Sequence, residues 1–351
     1  MNQTKNMTRR EVIWGLSSAA ACVATGCKGV QPAPRAPLPK FAWAWFAQFG
    51  RKMWRANAAI DFLDMDETMW REMTDRLVAK GFNVIVWDLG EGMVFPSHPE
   101  LAVRGSWAPE RVRDEISRLR KMGLVSVPKL NFSTTHNQWL GKWCAYITTP
   151  EYYNVCSEVI ADVANVFSDS PCFHLGYDEE TAEFQSKGGF DNIRVRRHDV
   201  WWKDFLWTVG EVERHGMRPW IWSDYVWEHP EEFVQRMPKS VIQSNWNYTQ
   251  EFDFAKIKSP VTRKKLSMFE FLDKHGFDQI PTGSTWTIKP EDWPSRRNFP
   301  GIVDLGRKVV SPEHLKGFLM AAWHGPTNLS RRKKINVSID LAGEVIASYG
   351  K

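Results

Sequence analysis

Two neighbouring carboxyl groups follow a short apolar run near the middle of the chain. The segment 172–180 has the sequence CFHLGYDEE, and Asp178 and Glu179 stand at its polar end. Paired carboxyl groups can divide acid–base chemistry, because one can donate a proton while the other stays ionised and stabilises positive charge. A packed core has no use for acidic residues at this place. The segment therefore predicts either a catalytic or binding site or a solvated polar loop.

Acidic and aromatic residues also end most of the other apolar runs of the chain, where basic residues are scarce. They are Trp87 with Asp88, Asn131, Trp222 with Asp224, Trp246 with Tyr248, Trp286, and Trp323. The chain has 19 tryptophans and only 7 tyrosines. Tryptophan combines a large apolar face with an N–H group that needs a partner. The excess predicts a thick core, a pocket for flat apolar faces such as sugar rings, or both.

Short apolar runs alternate with amphipathic stretches from residue 40 onward, and this alternation must position those residues. The predicted strands are 41–49, 82–89, 124–132, 172–178, 218–226, 241–248, 279–286 and 317–323. The predicted helices are 66–80, 109–122, 150–167, 198–215, 230–237, 261–275, 311–316 and 338–349. Strands that alternate with helices pair in parallel through right-handed crossovers.

Eight such units predict a single (β/α)8 barrel, a TIM barrel, over residues 40–351, of the α/β class. An open doubly wound sheet is the alternative, but no glycine-rich phosphate loop follows the first strand. In barrels the chemistry lies at the carboxyl ends of the strands. The acidic and aromatic residues named above are therefore expected to meet at one mouth.

The motif H-x-G-x-D-E, present as His174, Gly176, Asp178 and Glu179, resembles the signature of the family 20 β-N-acetylhexosaminidases. In that family the acetamido oxygen of the substrate attacks C1, so the enzyme supplies no nucleophile. The resemblance implies that Glu179 is the general acid and base and that Asp178 orients the 2-acetamido group. His174 is expected to contact the substrate.

Further positions extend the resemblance along the barrel. Trp222 and Asp224 are similar to a W-x-D pattern after strand five, and Trp246 and Tyr248 to a W-x-Y pattern on strand six. The resemblance implies that Tyr248 donates to the acetamido carbonyl and that Trp222, Trp246, Trp286 and Trp323 surround the sugar. Asp88, Asn131 and His136 complete the expected substrate-binding set.

The chain departs from the family pattern in two places. After strand three the family has roughly P-E-x-D, whereas this chain has Lys129 and Asn131 at the acidic positions. On strand one the family has an arginine that holds sugar hydroxyls, and the nearest candidate here is Arg51, beyond the expected strand end. The contacts to the outer hydroxyls are therefore expected to differ from those of the family.

Two other functions are compatible with these residues. One is a retaining or inverting glycosidase on a sugar without an acetamido group, which would use Glu179 with another carboxylate such as Asp224 or Glu270. The other is a catalytically inactive surface lipoprotein that binds carbohydrate.

The N-terminal segment explains the net charge of +5. Residues 1–40 hold six basic side chains and one acidic one, and the remaining residues hold 40 of each, so no overall basic surface favours nucleic-acid binding.

Arg9 and Arg10 before a short apolar stretch predict a twin-arginine signal peptide over residues 1–27. Cys27 then predicts either lipidation or plain cleavage, and 28–39 a proline-rich linker. The expected location is the cell envelope or periplasm, with a lipid anchor at Cys27 as the contact with a membrane.

Only three cysteines follow the linker, and no Cys/His cluster has zinc spacing. We therefore expect neither a metal nor another cofactor. The expected partner is a carbohydrate substrate that contains N-acetylhexosamine.

Overall fold

The structure is a computed structural model that describes residues 35–325 and 329–349. The predicted signal peptide and Cys27 lie outside the described residues, as does the linker up to residue 34. Among the described helices, none is both long enough and apolar enough to cross a bilayer.

Eight parallel strands form the barrel, and each begins within three residues of its predicted start. They are β1 (Ala42–Gln48), β2 (Val84–Asp88), β3 (Val125–Lys129), β4 (Cys172–His174), β5 (Arg218–Trp222), β6 (Ile242–Ser244), β7 (Thr282–Gly283) and β8 (Gly317–Met320). The hydrogen-bonded order is β6-β5-β4-β3-β2-β1-β8-β7. Single parallel bridges, Gln243 to Gln279 and Trp246 to Thr282, link the β6 and β7 segments. The predicted (β/α)8 barrel is confirmed.

Ten helices surround the strands in the described part of the chain. They are α1 (Glu67–Ala79), α2 (Pro109–Lys121), α3 (Pro150–Val166), α4 (Ala182–Lys187), α5 (His198–Arg214), α6 (Tyr225–Glu228), α7 (Pro230–Arg236), α8 (Pro260–Lys274), α9 (Asn298–Val309) and α10 (Leu329–Ser348). Asp66, Thr149 and Ser259 cap α1, α3 and α8 by accepting a backbone N–H in the first turn.

The strands separate two hydrophobic cores. Along β2, Val84 and Val86 point into the barrel, whereas Ile85 and Trp87 pack between the strands and the helices. This alternation follows from the two-residue period of a strand. Most buried tryptophans belong to the outer layer, so part of the tryptophan excess is packing.

One predicted helix is wrong, and the bounds of several other elements differ from the prediction. Residues 311–316 form a turn and a bridge rather than a helix, and the helix before β8 is α9. Helix α9 was not predicted because Pro300 and Gly301 have low helix propensity. The burial of Phe299 and Ile302 against the barrel stabilises it nevertheless. The predicted helix 338–349 begins earlier, at Leu329, and the predicted strands 172–178, 241–248 and 279–286 end early because their polar ends leave the sheet.

Candidate active site

The backbone curls immediately after β4. Gly176, Tyr177 and Glu179 have φ angles of 73°, 70° and 53°. A Cβ on Gly176 would lie 2.1 Å from Asn131 Oδ1. This position therefore requires glycine for two reasons, because its φ angle is positive and because Asn131 lies too close for a side chain. Because the strand has ended, Asp178 and Glu179 do not point to opposite faces, and both line the same cavity.

That cavity, of about 470 Å³, lies at the carboxyl ends of the strands and is hereafter the first cavity. Asp178 and Glu179 are its only acidic lining residues among those the structure describes. Its aromatic wall is formed by Trp54, Phe184, Trp222, Trp246, Tyr248, Trp286 and Trp323. Its volume is within the range of small-molecule sites. All four tryptophans expected around the sugar, together with Tyr248, therefore lie beside the paired acids.

Asn131 and His136 hold the two acids from the β3 side. Asn131 Nδ2 donates to Asp178 Oδ1 at 2.6 Å, and His136 Nε2 lies 3.2 Å from Glu179 Oε2 and 3.4 Å from Asp178 Oδ2. Burial alone would lower the pKa of His136, but the carboxylates of Asp178 and Glu179 outweigh it and the pKa is raised. The Nε2 atom of His136 is therefore placed between the two acids, and its second nitrogen is buried and unpartnered among the described residues.

His136, Asp178 and Glu179 each present one ligand atom within 4.8 Å of the others, a donor set that fits a metal ion by distance alone. A histidine ligates a metal only as the neutral ring. The same spacing also fits a triad without a metal, in which His136 Nε2 is hydrogen-bonded to Glu179 Oε2 at 3.2 Å.

Asp224 supports Glu179 from the β5 side. Its Oδ2 accepts the backbone N–H of Glu179 at 3.0 Å, and its Oδ1 accepts the indole N–H of Trp246 at 2.7 Å. Burial raises the pKa of Asp224 well above its ordinary value, and the charges of Asp178 and Glu179 raise it further. Asp224 does not line the first cavity. It holds the strained backbone of Glu179 and one aromatic wall in place.

Tyr248 presents to the first cavity a hydroxyl proton that no described residue accepts. Its ring stacks on Trp246 with centroids 4.9 Å apart, and its oxygen accepts the indole N–H of Trp323 at 2.7 Å. Burial raises the pKa of Tyr248 well above its usual range, so the hydroxyl stays protonated. Since Trp323 uses only a lone pair of the oxygen, the O–H is available to a ligand.

His174 and Asp88, expected to bind substrate, lie below the first cavity and are not part of its wall. His174 Nδ1 accepts the N–H of Gly176 at 3.1 Å, its ring packs 4.5 Å from that of Trp222, and burial lowers its pKa well below normal. Asp88 accepts from Lys129 at 2.8 Å in a fully buried pair, and burial raises its pKa. The lysine that departs from the family pattern is therefore used inside the barrel.

Several wall residues were not predicted from the sequence. They are Gln48, Trp54, Asn57, Phe184 and Arg331. Trp54 packs edge-on against His136 at 4.4 Å and follows Arg51, which also lines the cavity and pairs with Asp64. Trp54 could have been predicted as a wall residue, because it lies three positions after Arg51 in the loop that follows β1. Arg331 comes from α10, and no local pattern marks it.

The sequence matches no protein-family model and no curated protein. The fold does have known counterparts, among them several solved hexosaminidases. A β-N-acetylhexosaminidase from Bacteroides fragilis superposes with a TM-score of 0.59 at 15% identity, over 87% of this chain and 66% of that one. The family 20 exo-β-N-acetylglucosaminidase of Vibrio harveyi, solved with N-acetylglucosamine, gives 0.57 at 12% identity, over 87% and 54%.

Dispersin B gives a TM-score of 0.57 at 11% identity and is covered over its full length, with 89% of this chain aligned. The chain thus spans about two thirds of the Bacteroides enzyme and about half of the Vibrio enzyme, but all of dispersin B. At this level of identity the likeness establishes the fold. The resemblance inferred from the H-x-G-x-D-E motif is thereby confirmed for the barrel, which this chain shares with family 20 glycoside hydrolases.

Proposed function

We propose that this protein is a glycoside hydrolase, a retaining β-N-acetylhexosaminidase that uses the substrate's own acetamido group as nucleophile. The observation that carries the proposal is the convergence of Asp178 and Glu179 on one tryptophan-lined cavity at the carboxyl end of the barrel. An apolar aromatic wall with a few convergent polar groups suits a sugar ring.

In the first step the acetamido carbonyl oxygen attacks C1 while Glu179 gives its proton to the glycosidic oxygen. The C1–O bond breaks, the leaving group departs as an alcohol, and an oxazolinium remains. Asp178 accepts the acetamido N–H and stabilises the positive charge that develops there. In the second step ionised Glu179 takes a proton from water, which attacks C1 and reopens the ring, so that two inversions give net retention.

The distance between the two acids argues against an inverting mechanism. One oxygen of Asp178 and one of Glu179 lie within 4.8 Å. Inverting glycosidases separate their carboxyl groups by about 6.5–9.5 Å to admit a water. No such water fits between Asp178 and Glu179, which His136 and Asn131 hold close together. In this arrangement one acid can donate a proton while the other stabilises charge.

The carboxylates of the alternative mechanism are poorly situated for it. Asp224 accepts hydrogen bonds on both oxygens and lies outside the first cavity. Glu270 is on the outer helix α8, where it pairs with Lys274, and its side chain is 54% exposed. Neither can attack C1 of a sugar bound beside Asp178.

The hydroxyl proton of Tyr248, which no described residue accepts, fits one lone pair of the acetamido carbonyl oxygen, which leaves the other lone pair to attack C1. A donor fixed by Trp323 orients that oxygen towards C1. Trp222, Trp246, Trp286 and Trp323 would enclose the acetamido methyl and the sugar face.

The substrate pair that tests the proposal is an aryl N-acetyl-β-glucosaminide and the matched aryl β-glucoside. Hydrolysis of the first with retention, and no hydrolysis of the second, is expected. Equal rates would favour a glycosidase that ignores the acetamido group, and sugar binding without turnover of either substrate would favour an inactive binding protein.

We further propose export by the twin-arginine route and anchoring through a lipid on Cys27. The test is fractionation of cells that express the full chain, with Arg9→Lys and Arg10→Lys together and with Cys27→Ala. The double substitution should retain the protein in the cytoplasm. Cys27→Ala should release it from the membrane fraction, and unchanged membrane association would contradict the anchor.

A further inference from the structure

A second cavity of about 590 Å³ lies beside the first and shares Glu179 and Phe184 with it. It is bounded by the start of α5, by α6 and by the side of α8. The proposed general acid therefore stands at the boundary between the two cavities.

An aromatic stack lines the second cavity. The Tyr225 ring lies over Trp201 with centroids 4.0 Å apart and planes at 23°, and His229 continues the stack at 4.6 Å and 31° from Tyr225. Tyr225 and His229 are half-buried and line the cavity. Half-exposed rings of this kind offer a flat surface to a sugar.

The acids of the second cavity other than Glu179 are already engaged. Glu180 accepts from Arg196 at 2.6 and 2.9 Å, and Glu228 pairs with Lys264 at 3.0 Å. Asp224 accepts two hydrogen bonds, and burial raises its pKa. These acids present little unpaired negative charge to a ligand.

Two cations of the same cavity, in contrast, have no carboxylate partner among the described residues. Arg197 is exposed at the start of α5 and takes part in no ion pair there. Lys265 is half-buried, with its Nζ 3.4 Å from the centre of the Trp227 ring and 4.7 Å from that of Trp246. Burial lowers the pKa of Lys265, and the nearby charges of Asp224 and Glu179 oppose that shift without forming an ion pair with it. The aromatic rings hold the ammonium group in place without neutralising it.

We propose that the second cavity binds the leaving-group sugar of the substrate and selects one that carries a carboxylate or a sulfate. The inference rests on the proposed function, because a general acid must contact the glycosidic oxygen that joins the two sugars. With the hexosamine in the first cavity, that oxygen lies at Glu179, and the leaving sugar continues across the boundary. Tyr225 and His229 stack on it, and Arg197 and Lys265 pair with its anionic group.

The experiment compares three disaccharides in which N-acetylglucosamine is β-linked to glucose, to glucuronic acid or to glucose 6-sulfate. The wild-type kcat/KM is expected to be about fivefold higher for an acidic leaving sugar than for glucose, since an exposed ion pair contributes at most about 1 kcal/mol. The preference should fall as salt screens the charges. Which acidic substrate is preferred identifies the anionic group.

Arg197→Gln should reduce this acidic-to-neutral ratio towards one. The matched control is Lys203→Gln, which removes an exposed positive charge from the same helix outside the cavity and should keep the wild-type ratio. A wild-type ratio of one, or a ratio that Arg197→Gln leaves unchanged, overturns the inference.

The aryl N-acetyl-β-glucosaminide, which has no leaving sugar, separates this inference from the proposed function. If the wild type hydrolyses it but shows no acidic preference, only the second-cavity inference fails. If the wild type hydrolyses none of the N-acetylglucosaminides, the proposed function itself fails.

Discussion

The first and second arcs of the barrel are built differently. The first arc is β1 to β3, with 7, 5 and 5 residues, and the second arc is β4 to β7, with 3, 5, 3 and 2. The first arc is a regular ladder with apolar residues on both faces. In the second arc the chain leaves the ladder early, and the freed segments carry Asp178, Glu179, Trp246 and Tyr248.

Buried polar side chains replace the missing ladder hydrogen bonds of the second arc. Ser244 donates to Ile280 O and accepts from the Trp220 indole, and Asn298 donates to the carbonyls of Asn247 and Thr249. A buried backbone group needs a partner wherever regular pairing stops. The comparison teaches that the first arc keeps the regular pairing that stabilises the barrel, and that the second trades regular pairing for the placement of the two acids. Asn131 and His136 reach those acids from the end of β3.

The sharpest test of this division is Glu179→Gln in the second arc. It removes the proton donor, so kcat/KM for the aryl N-acetyl-β-glucosaminide should fall by about 10²–10⁴-fold. The free energy of unfolding, from urea titration, should change little. Glu183→Gln on α4, which removes an exposed carboxylate, is the matched control and should keep the activity. Unchanged turnover in Glu179→Gln would show that the acid is assigned to the wrong residue.

The converse test is Ile85→Ala in the first arc. Ile85 is fully buried between the strands and the helices, so its truncation should lower the free energy of unfolding by about 2–4 kcal/mol. The kcat/KM per folded molecule should stay near the wild-type value. Val200→Ala, at a position that is 48% exposed, should change stability by less than about 0.5 kcal/mol. A loss of intrinsic activity in Ile85→Ala would break the division between the arcs.

Tyr248→Phe sharpens the role of the second arc with a smaller change. It keeps the ring stacked on Trp246 and deletes the hydroxyl, so kcat/KM should fall by about tenfold, the effect of losing one neutral hydrogen bond that orients the attacking oxygen. Tyr146→Phe, at an exposed ring outside the first cavity, should have no effect. Equal activity of Tyr248→Phe and wild type would remove Tyr248 from the mechanism.

The smallest effect is a pH dependence of stability that originates where the loop after β3, in the first arc, meets the acids of the second arc. The folded-state pKa of His136 is raised above its unfolded value of about 6.5. Its stabilising contribution is therefore complete below about pH 6.5 and is lost as the pH rises through the folded pKa. The stability advantage of the wild type over His136→Gln, from urea titrations at several pH values, should shrink with rising pH. An advantage that grows with pH would contradict a protonated ring.

The same division explains how far the sequence could predict the molecule. The predicted strand 41–49 is β1 with one extra residue at each end, because a regular buried strand has an unbroken apolar pattern. The predicted strand 172–178 continues four residues beyond β4. The residue types of this segment do not indicate that Tyr177 and Glu179 adopt left-handed backbone conformations.

The site could be predicted where chemistry follows a strand directly, and not where distant segments supply it. Asp178, Glu179, Trp246 and Tyr248 each follow their strand within a few residues and line the first cavity. Arg331 reaches the same cavity from the last helix, a contact that depends on the closed barrel rather than on any local pattern. His174 shares the motif with the two acids, but it faces the buried interior because it still belongs to β4.

The central claim is that the substrate's acetamido group, and not a carboxylate of the protein, attacks C1. A thiazoline that mimics the bicyclic oxazolinium tests it most directly. The account predicts competitive inhibition of the wild type at concentrations far below the KM, and at least about tenfold weaker inhibition of Asp178→Asn, which loses the negative charge that stabilises the protonated ring nitrogen. No inhibition by the thiazoline, together with covalent labelling of a carboxylate by a 2-fluoro glycoside, would contradict the account.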